Sequence, residues 1–248
     1  MNVIYILWLR QVKKYFRSRS RIVGSIAQPL LFLFAFGYGF GHIYQQAGQG
    51  NYIQFLAPGI VAMGILFTAV FSGIEIIWDR QFGFLKETLV APVPRFQIML
   101  GRTAGGATVA TIQGLIVLVI AVLAGFRFTN LFSFFPALVF MFLIALLFTA
   151  LGTAIASRLQ DMQGFQLIMN FLVMPIFFLS GSLFPLSGLP KALGYIAMVD
   201  PLSYGIDGLR ASLLNTSHFG MGTDFVVLFL ITVLLFAIGS WLFAKIQI

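Results

Sequence analysis

The sequence predicts an all-α, polytopic membrane protein with six transmembrane helices. Three observations carry that reading. The 248 residues are 60% apolar and only 9% charged, with a mean hydropathy of +0.99, and no soluble domain can hide that much apolar surface. Six stretches reach the roughly 20 residues needed to cross a hydrocarbon core. The net charge of +8 is concentrated in an N-terminal arm and in the segment Trp78–Arg102. That pattern belongs to membrane topology and anionic lipid headgroups rather than to nucleic acid.

In chain order, residues 1–21 hold Arg10, Lys13, Lys14, Arg17, Arg19 and Arg21 and no acid, while Val3, Ile4, Leu7, Trp8, Val12 and Tyr15 recur three and four apart. This is the pattern of a basic amphipathic helix at the membrane interface, or of a plain positive-inside anchor. No short apolar core ends in a small-residue cleavage site, so no cleavable signal peptide is expected. The spans are expected at about 22–44, 52–77, 103–126, 131–157, 164–183 and 224–244. Pro29 kinks the first, and Gly37, Gly39 and Gly41 offer it small faces.

Between the second and third spans lies WDRQFGFLKETLVAPVPRFQIMLGR, with six of the chain's 22 charged residues in 25 positions. Phe82, Leu85 and Leu89 share one face of a short helix there, and Lys86 and Glu87 another. Ala91-Pro92-Val93-Pro94 ends that helix, because proline lacks an N–H and restricts the residue before it. Such a loop is either a docking element for another protein or a solvated cap on two spans. Six spans put both ends of the chain on one side. Twelve Lys or Arg then fall on that side and three on the other, which makes the twelve cytoplasmic.

Residues 184–223 are too broken by Pro185, Pro190 and Pro201 to span. Lys191–Met198 and Leu202–Leu214 have helical spacing and fit two short helices dipping into the outer leaflet. Asp200 is the cap and Pro201 the first position of the second of these. Asp207 and Arg210, three apart, are placed to pair on its surface.

The chemistry of enzymes is missing from the sequence. There is no cysteine and no Gly-Lys pair, hence no phosphate loop of the Gly-Lys-Ser/Thr kind, and no Gly-x-Ser-x-Gly elbow. His42 and His218 stand without neighbouring carboxylates and make a weak metal site. Acids are nearly absent from the spans; Glu75 lies about one turn from the end of the second and should snorkel or pair with Arg80 or Arg102. Gln113 and Asn170 are expected to hydrogen-bond between helices or to face a substrate path.

Element order and two motifs resemble the permease subunit of ABC-2 type exporters, which have the type V ABC fold. The first motif is Phe84-Leu85-Lys86-Glu87-Thr88-Leu89-Val90-Ala91-Pro92-Val93-Pro94-Arg95. The second runs from Leu179-Ser180-Gly181-Ser182-Leu183-Phe184-Pro185-Leu186 and Leu189-Pro190 to Asp200-Pro201-Leu202-Ser203-Tyr204-Gly205-Ile206-Asp207-Gly208-Leu209-Arg210. Asp200 stands where the family more often carries Asn. The likeness covers essentially the whole chain and is nearest to small drug-resistance and nodulation-factor exporter permeases.

The resemblance implies residues 1–21 as an interfacial helix and 22–248 as the transmembrane domain. It also implies a cytoplasmic coupling helix in the loop 78–102 and an external re-entrant hairpin at 184–223. Two copies, or one copy and a paralogue, would pair with two ATP-binding subunits that carry the ATP and Mg. Phe82, Leu85 and Leu89 would be apolar anchors of that contact, with Lys86, Glu87 and Arg95 at its rim. The substrate expected is amphipathic or lipid-like: a drug, a lipid or a glycan. A stand-alone carrier driven by an ion gradient is the alternative. The absence of paired deep acids counts against it.

Overall fold

The computed structural model describes residues 2–46, 50–90, 92–186 and 190–245. Ala91 and Leu189, each part of a motif quoted above, lie outside the described residues, as does the side chain of Arg21. Every regular element among the described residues is helical: α1 (Val3–Arg17), α2 (Arg19–Gly39), α3 (Gly41–Gln46), α4 (Tyr52–Phe71), α5 (Ile74–Gln81), α6 (Phe84–Val90), α7 (Arg95–Leu123), α8 (Phe134–Arg158), α9 (Met162–Leu179), α10 (Lys191–Val199), α11 (Pro201–Leu214) and α12 (Met221–Ala244). Among the described residues six helical segments are long and apolar enough to cross a membrane, namely α2, α4 continued by α5, α7, α8, α9 and α12. They alternate in direction, so one end of the bundle gathers the N-terminal arm and the charged loop (the basic end) and the other gathers α3, α10 and α11 (the hairpin end).

The spans sit where the apolar runs put them, with two informative differences. The second span is broken at Ser72–Gly73 and resumes as α5. There the backbones of α4 and α8 touch: a Cβ on Gly73 would strike the Gly152 carbonyl, and one on Gly152 the Val70 carbonyl. The third span begins at Arg95 rather than near Thr103. Pro94 directly precedes its first residue, and Arg102 does not interrupt it because its charge is met by Asp79. The free loop therefore shrinks from 78–102 to the residues around α6. At 29 residues, α7 is about 43 Å long, well beyond a core of about 30 Å.

The core centres on α4, whose Leu56, Ala57, Ile60, Val61 and Ile65 have no exposed surface. It packs on α2, α7 and α8. α12 lies along α8, and α11 closes against α12, α8 and α4.

α1 runs beside α7 in the same sense. Ile4 and Leu7 meet Gly101, and Trp8 and Gln11 meet Gly105. Further along, Tyr15 donates to Gln113 Oε1 at 2.5 Å. A Cβ on Gly105 would come 2.7 Å from Gln11 Cβ, so the two backbones approach only because that position is glycine. The aromatic face of α1 that suits a lipid interface is thus taken up by α7: Tyr15 is 1% exposed and Trp8 Nε1 donates to Thr108 Oγ1.

Candidate functional site

At the basic end, α5 brings Asp79 between α1 and α7. Arg10 grips it with both terminal nitrogens, at 3.0 and 3.2 Å, and Arg102 adds a third contact at 2.5 Å. Arg102 is 4% exposed and Asp79 6%, so this is a buried pair joined by a second, partly exposed cation, Arg10, and the knot carries one net positive charge. The Arg10 guanidinium also covers the Phe84 ring at 4.0 Å, which ties α6 to α1.

Among the described residues Glu75, one turn earlier on α5, pairs with Lys14 at 3.5 Å, while Arg102 turns to Asp79. Arg80 instead donates to the Leu159 and Ser157 carbonyls, the unsatisfied acceptors at the end of α8. Arg95 does the same for Ala244 at the end of α12. It therefore closes a helix end in addition to any role at a rim.

These contacts fix the short helix α6, and they divide the residues expected to dock a partner. Leu85 is 2% exposed and Leu89 packs against the same core, so both anchor α6 to its own bundle. Leu85 is therefore covered by its own bundle rather than free to anchor a partner, while Leu89 keeps part of its surface exposed. An amphipathic pattern shows which face is apolar, not which molecule covers it. Phe82 is 81% exposed and Val90 78%, and Lys86 and Glu87 are exposed beside them. The face turned away from the bundle is therefore Phe82, Lys86, Glu87 and Val90.

At the hairpin end, Asp200 accepts from the Leu202 N–H at 2.9 Å and Pro201 opens α11, the cap read from the sequence. Burial pushes the Asp200 carboxyl up to about 7, and its Oδ2 has no partner. Tyr204 donates to the Met198 carbonyl and ties α11 to α10.

Asp207 and Arg210 are not a surface pair. Asp207 is 4% exposed and accepts from the N–H groups of His218 and Phe219 at 2.7 to 2.8 Å, which folds the segment after α11 back on it. Arg210 is 9% exposed. Its Nη2 donates to the Gly181 carbonyl at 2.9 Å and more weakly to those of Phe55 and Ser182. The guanidinium stacks on the Phe55 ring at 3.9 Å. Burial lowers it to about 10, so it is still a cation at neutral pH. Pro185 lines the space in front of it, and Pro190 directly precedes α10. Asp224, the fourth residue of α12, is fully buried next to Asp207 and was not singled out as a site residue from the sequence.

Among the described residues no group of three potential metal ligands forms, and neither cluster places a nucleophile against a base. The arrangement defines a helical membrane protein with a rigid, partly apolar knob at one end and a folded hairpin at the other.

The comparisons with known proteins make that class specific. Residues 2–214 match the ABC-2 type transporter family, and the chain belongs to it, as a transmembrane component of an ABC transporter. It is 30% identical over 213 residues to nodulation protein J of Rhizobium leguminosarum bv. trifolii, covering 85% of this chain and 78% of the relative. It is 28% identical to the putative transport permease ycf38 of Cyanophora paradoxa (84% and 72% covered), and 31% identical to the ycf38 protein of Pyropia yezoensis (84% and 72%).

Proposed function

We propose that the chain is the permease half of an ATP-driven exporter, with its basic end in the cytoplasm and its hairpin end outside the plasma or inner membrane. A separate ATP-binding subunit, present in two copies and carrying ATP and Mg, docks on α6. The observation that carries this is the exposed Phe82, Lys86, Glu87 and Val90 face on a helix held rigidly from behind by Leu85, Arg10 and the Asp79 knot. ATP-driven closure of the ATPase pair moves the permease only through a stiff contact, and this one is stiff. Export by alternating access of an amphipathic or lipid-like substrate fits spans whose buried charges sit at their ends.

A second permease copy or a paralogue belongs on α9. The exposed face of α12 is apolar throughout its middle, with Phe225, Val226, Phe229, Leu230, Val233 and Leu234, and suits lipid. That of α9 mixes Leu167, Ile168 and Phe171 with the exposed amides Gln163, Gln166 and Asn170. Exposed amides within a span face protein or a wet path rather than hydrocarbon.

Co-purification with the cognate ATP-binding subunit tests the docking. Phe82→Asp is expected to lose the complex while the permease stays monodisperse, because a carboxylate is then buried without a partner. Leu85→Asp is expected to damage the permease itself. Full ATPase binding by Phe82→Asp, or substrate uptake by the purified chain in ATP-free vesicles driven by an ion gradient, would sink the reading.

A further inference from the structure

The hairpin end holds a cavity away from α6. A pocket of about 480 Å³ opens in front of Arg210, lined also by Tyr44, Ser203, Thr216, Ser217 and His218. Two buried polar groups on its wall lack partners among the described residues: Arg210 Nε and the Oγ of Ser203, which is 1% exposed. All the hydrogen bonds of Arg210 come from Nη2. A guanidinium more than nine-tenths buried, with donor capacity left over and hydroxyls around it, is incomplete without an acceptor.

A second space of about 480 Å³ adjoins it, sharing Tyr44 and Pro185, and its wall is Phe36, Phe40, Tyr52, Phe178, Leu183 and Phe184. One side of the combined site is donor-rich and cationic, and the other is aromatic.

We infer that this site takes a lipid-like amphiphile with a singly charged anionic oxygen headgroup of the phosphodiester kind, the head at Arg210 and Ser203 and the chain along Phe36, Phe40 and Phe178. The head must be an acceptor because the free groups on the wall are donors. A single negative charge fits better than several, because the Asp207 carboxylate, though occupied by backbone amides, lines the same pocket and repels added charge. On the orientation proposed above, the headgroup lies at outer-leaflet depth. The site itself depends on neither that orientation nor ATPase docking.

Binding to the full chain in a neutral maltoside detergent tests this, with lysophosphatidylglycerol as the probe and native mass spectrometry as the readout. Lysophosphatidylglycerol is expected to bind at least about tenfold more tightly than a monoacylglycerol of the same chain, and inorganic phosphate is expected not to displace it. Arg210→Gln is expected to abolish the preference for the charged lipid. Since Arg210 also holds the Gly181 carbonyl, two milder variants accompany it: Ser203→Ala and Phe40→Ala, the latter on a half-exposed ring, each weakening binding about three- to tenfold. Equal binding of the neutral and anionic lipids overturns the headgroup assignment. Displacement by inorganic phosphate overturns the amphiphile. Unchanged affinity in both Ser203→Ala and Phe40→Ala overturns the site. None of these results bears on the α6 contact, so either proposal can fail alone.

Discussion

Asp79 and Asp207 are both carboxylates buried to within a few per cent, one at each end of the bundle, and each is satisfied differently. Asp79 meets two guanidinium groups that reach it from α1 and α7. Asp207 meets backbone amides of the segment that follows its own helix. The first arrangement fastens elements far apart in the chain and leaves a cation uncovered if the acid is lost. The second folds a local loop, and its loss leaves neutral amides. Charge-to-charge pairing here ties helices far apart in the chain into one body, and charge-to-backbone pairing holds the shape of a small local cap.

Removing the two acids separates these cases. Asp79→Ala is expected to cost most, about 3–5 kcal/mol, because it strands Arg102 as a buried unpaired cation. Thermal unfolding of the purified chain should show it, and a second substitution, Arg102→Leu, should restore much of the loss. If Asp79→Ala costs less than the change at Asp207, the contrast between the two ends is wrong. Asp207→Asn is expected to cost about 1–3 kcal/mol, since one acceptor is lost and an NH2 group is turned toward backbone donors. Its effect should be local, visible as faster amide hydrogen exchange at His218 and Phe219 with little change at α6.

At Asp200 the expected effect depends on pH. Its carboxyl sits at about 7 in the folded chain because burial disfavours the charge, against about 3.9 unfolded. The folded state therefore holds the proton more tightly, and stability falls as pH rises from about 4 through 7. Asp200→Asn keeps an acceptor for the Leu202 N–H and removes the charge. Its melting temperature should match the wild type near pH 4 and exceed it at pH 8, by the equivalent of up to about 4 kcal/mol. A gap that is constant with pH would show that Asp200 is not ionising in this range.

Much of the architecture is legible because it is local. Six apolar runs of sufficient length mark six spans, the Asp200-Pro201 pair marks the start of α11, and two prolines mark the end of α6. The basic-end knot was not legible. Arg10 and Asp79 stand 69 positions apart, and nothing in either neighbourhood names the other. Arg102 alone gave a signal, a charge at the edge of an apolar run, but the expected partner was Glu75. What covers Leu85 is hidden from the sequence for a related reason. Its helical spacing with Phe82 and Leu89 is real, yet Phe82 lies at the turn before α6 and points away, while Leu85 and Leu89 face the bundle.

Composition and periodicity by themselves determined that this chain lives in a membrane, how many times it crosses, and which end collects the basic residues. Those properties depend on runs of neighbouring residues and on the solvent they can tolerate. Only the tertiary structure decided which charges meet, which apolar faces are already covered and which are left open. A buried ion pair, a glycine-mediated helix contact such as that of α1 on α7, and a pocket with unpartnered donors each require residues from several helices to arrive at one place. That arrival is set by packing in three dimensions, which no single stretch of the sequence encodes.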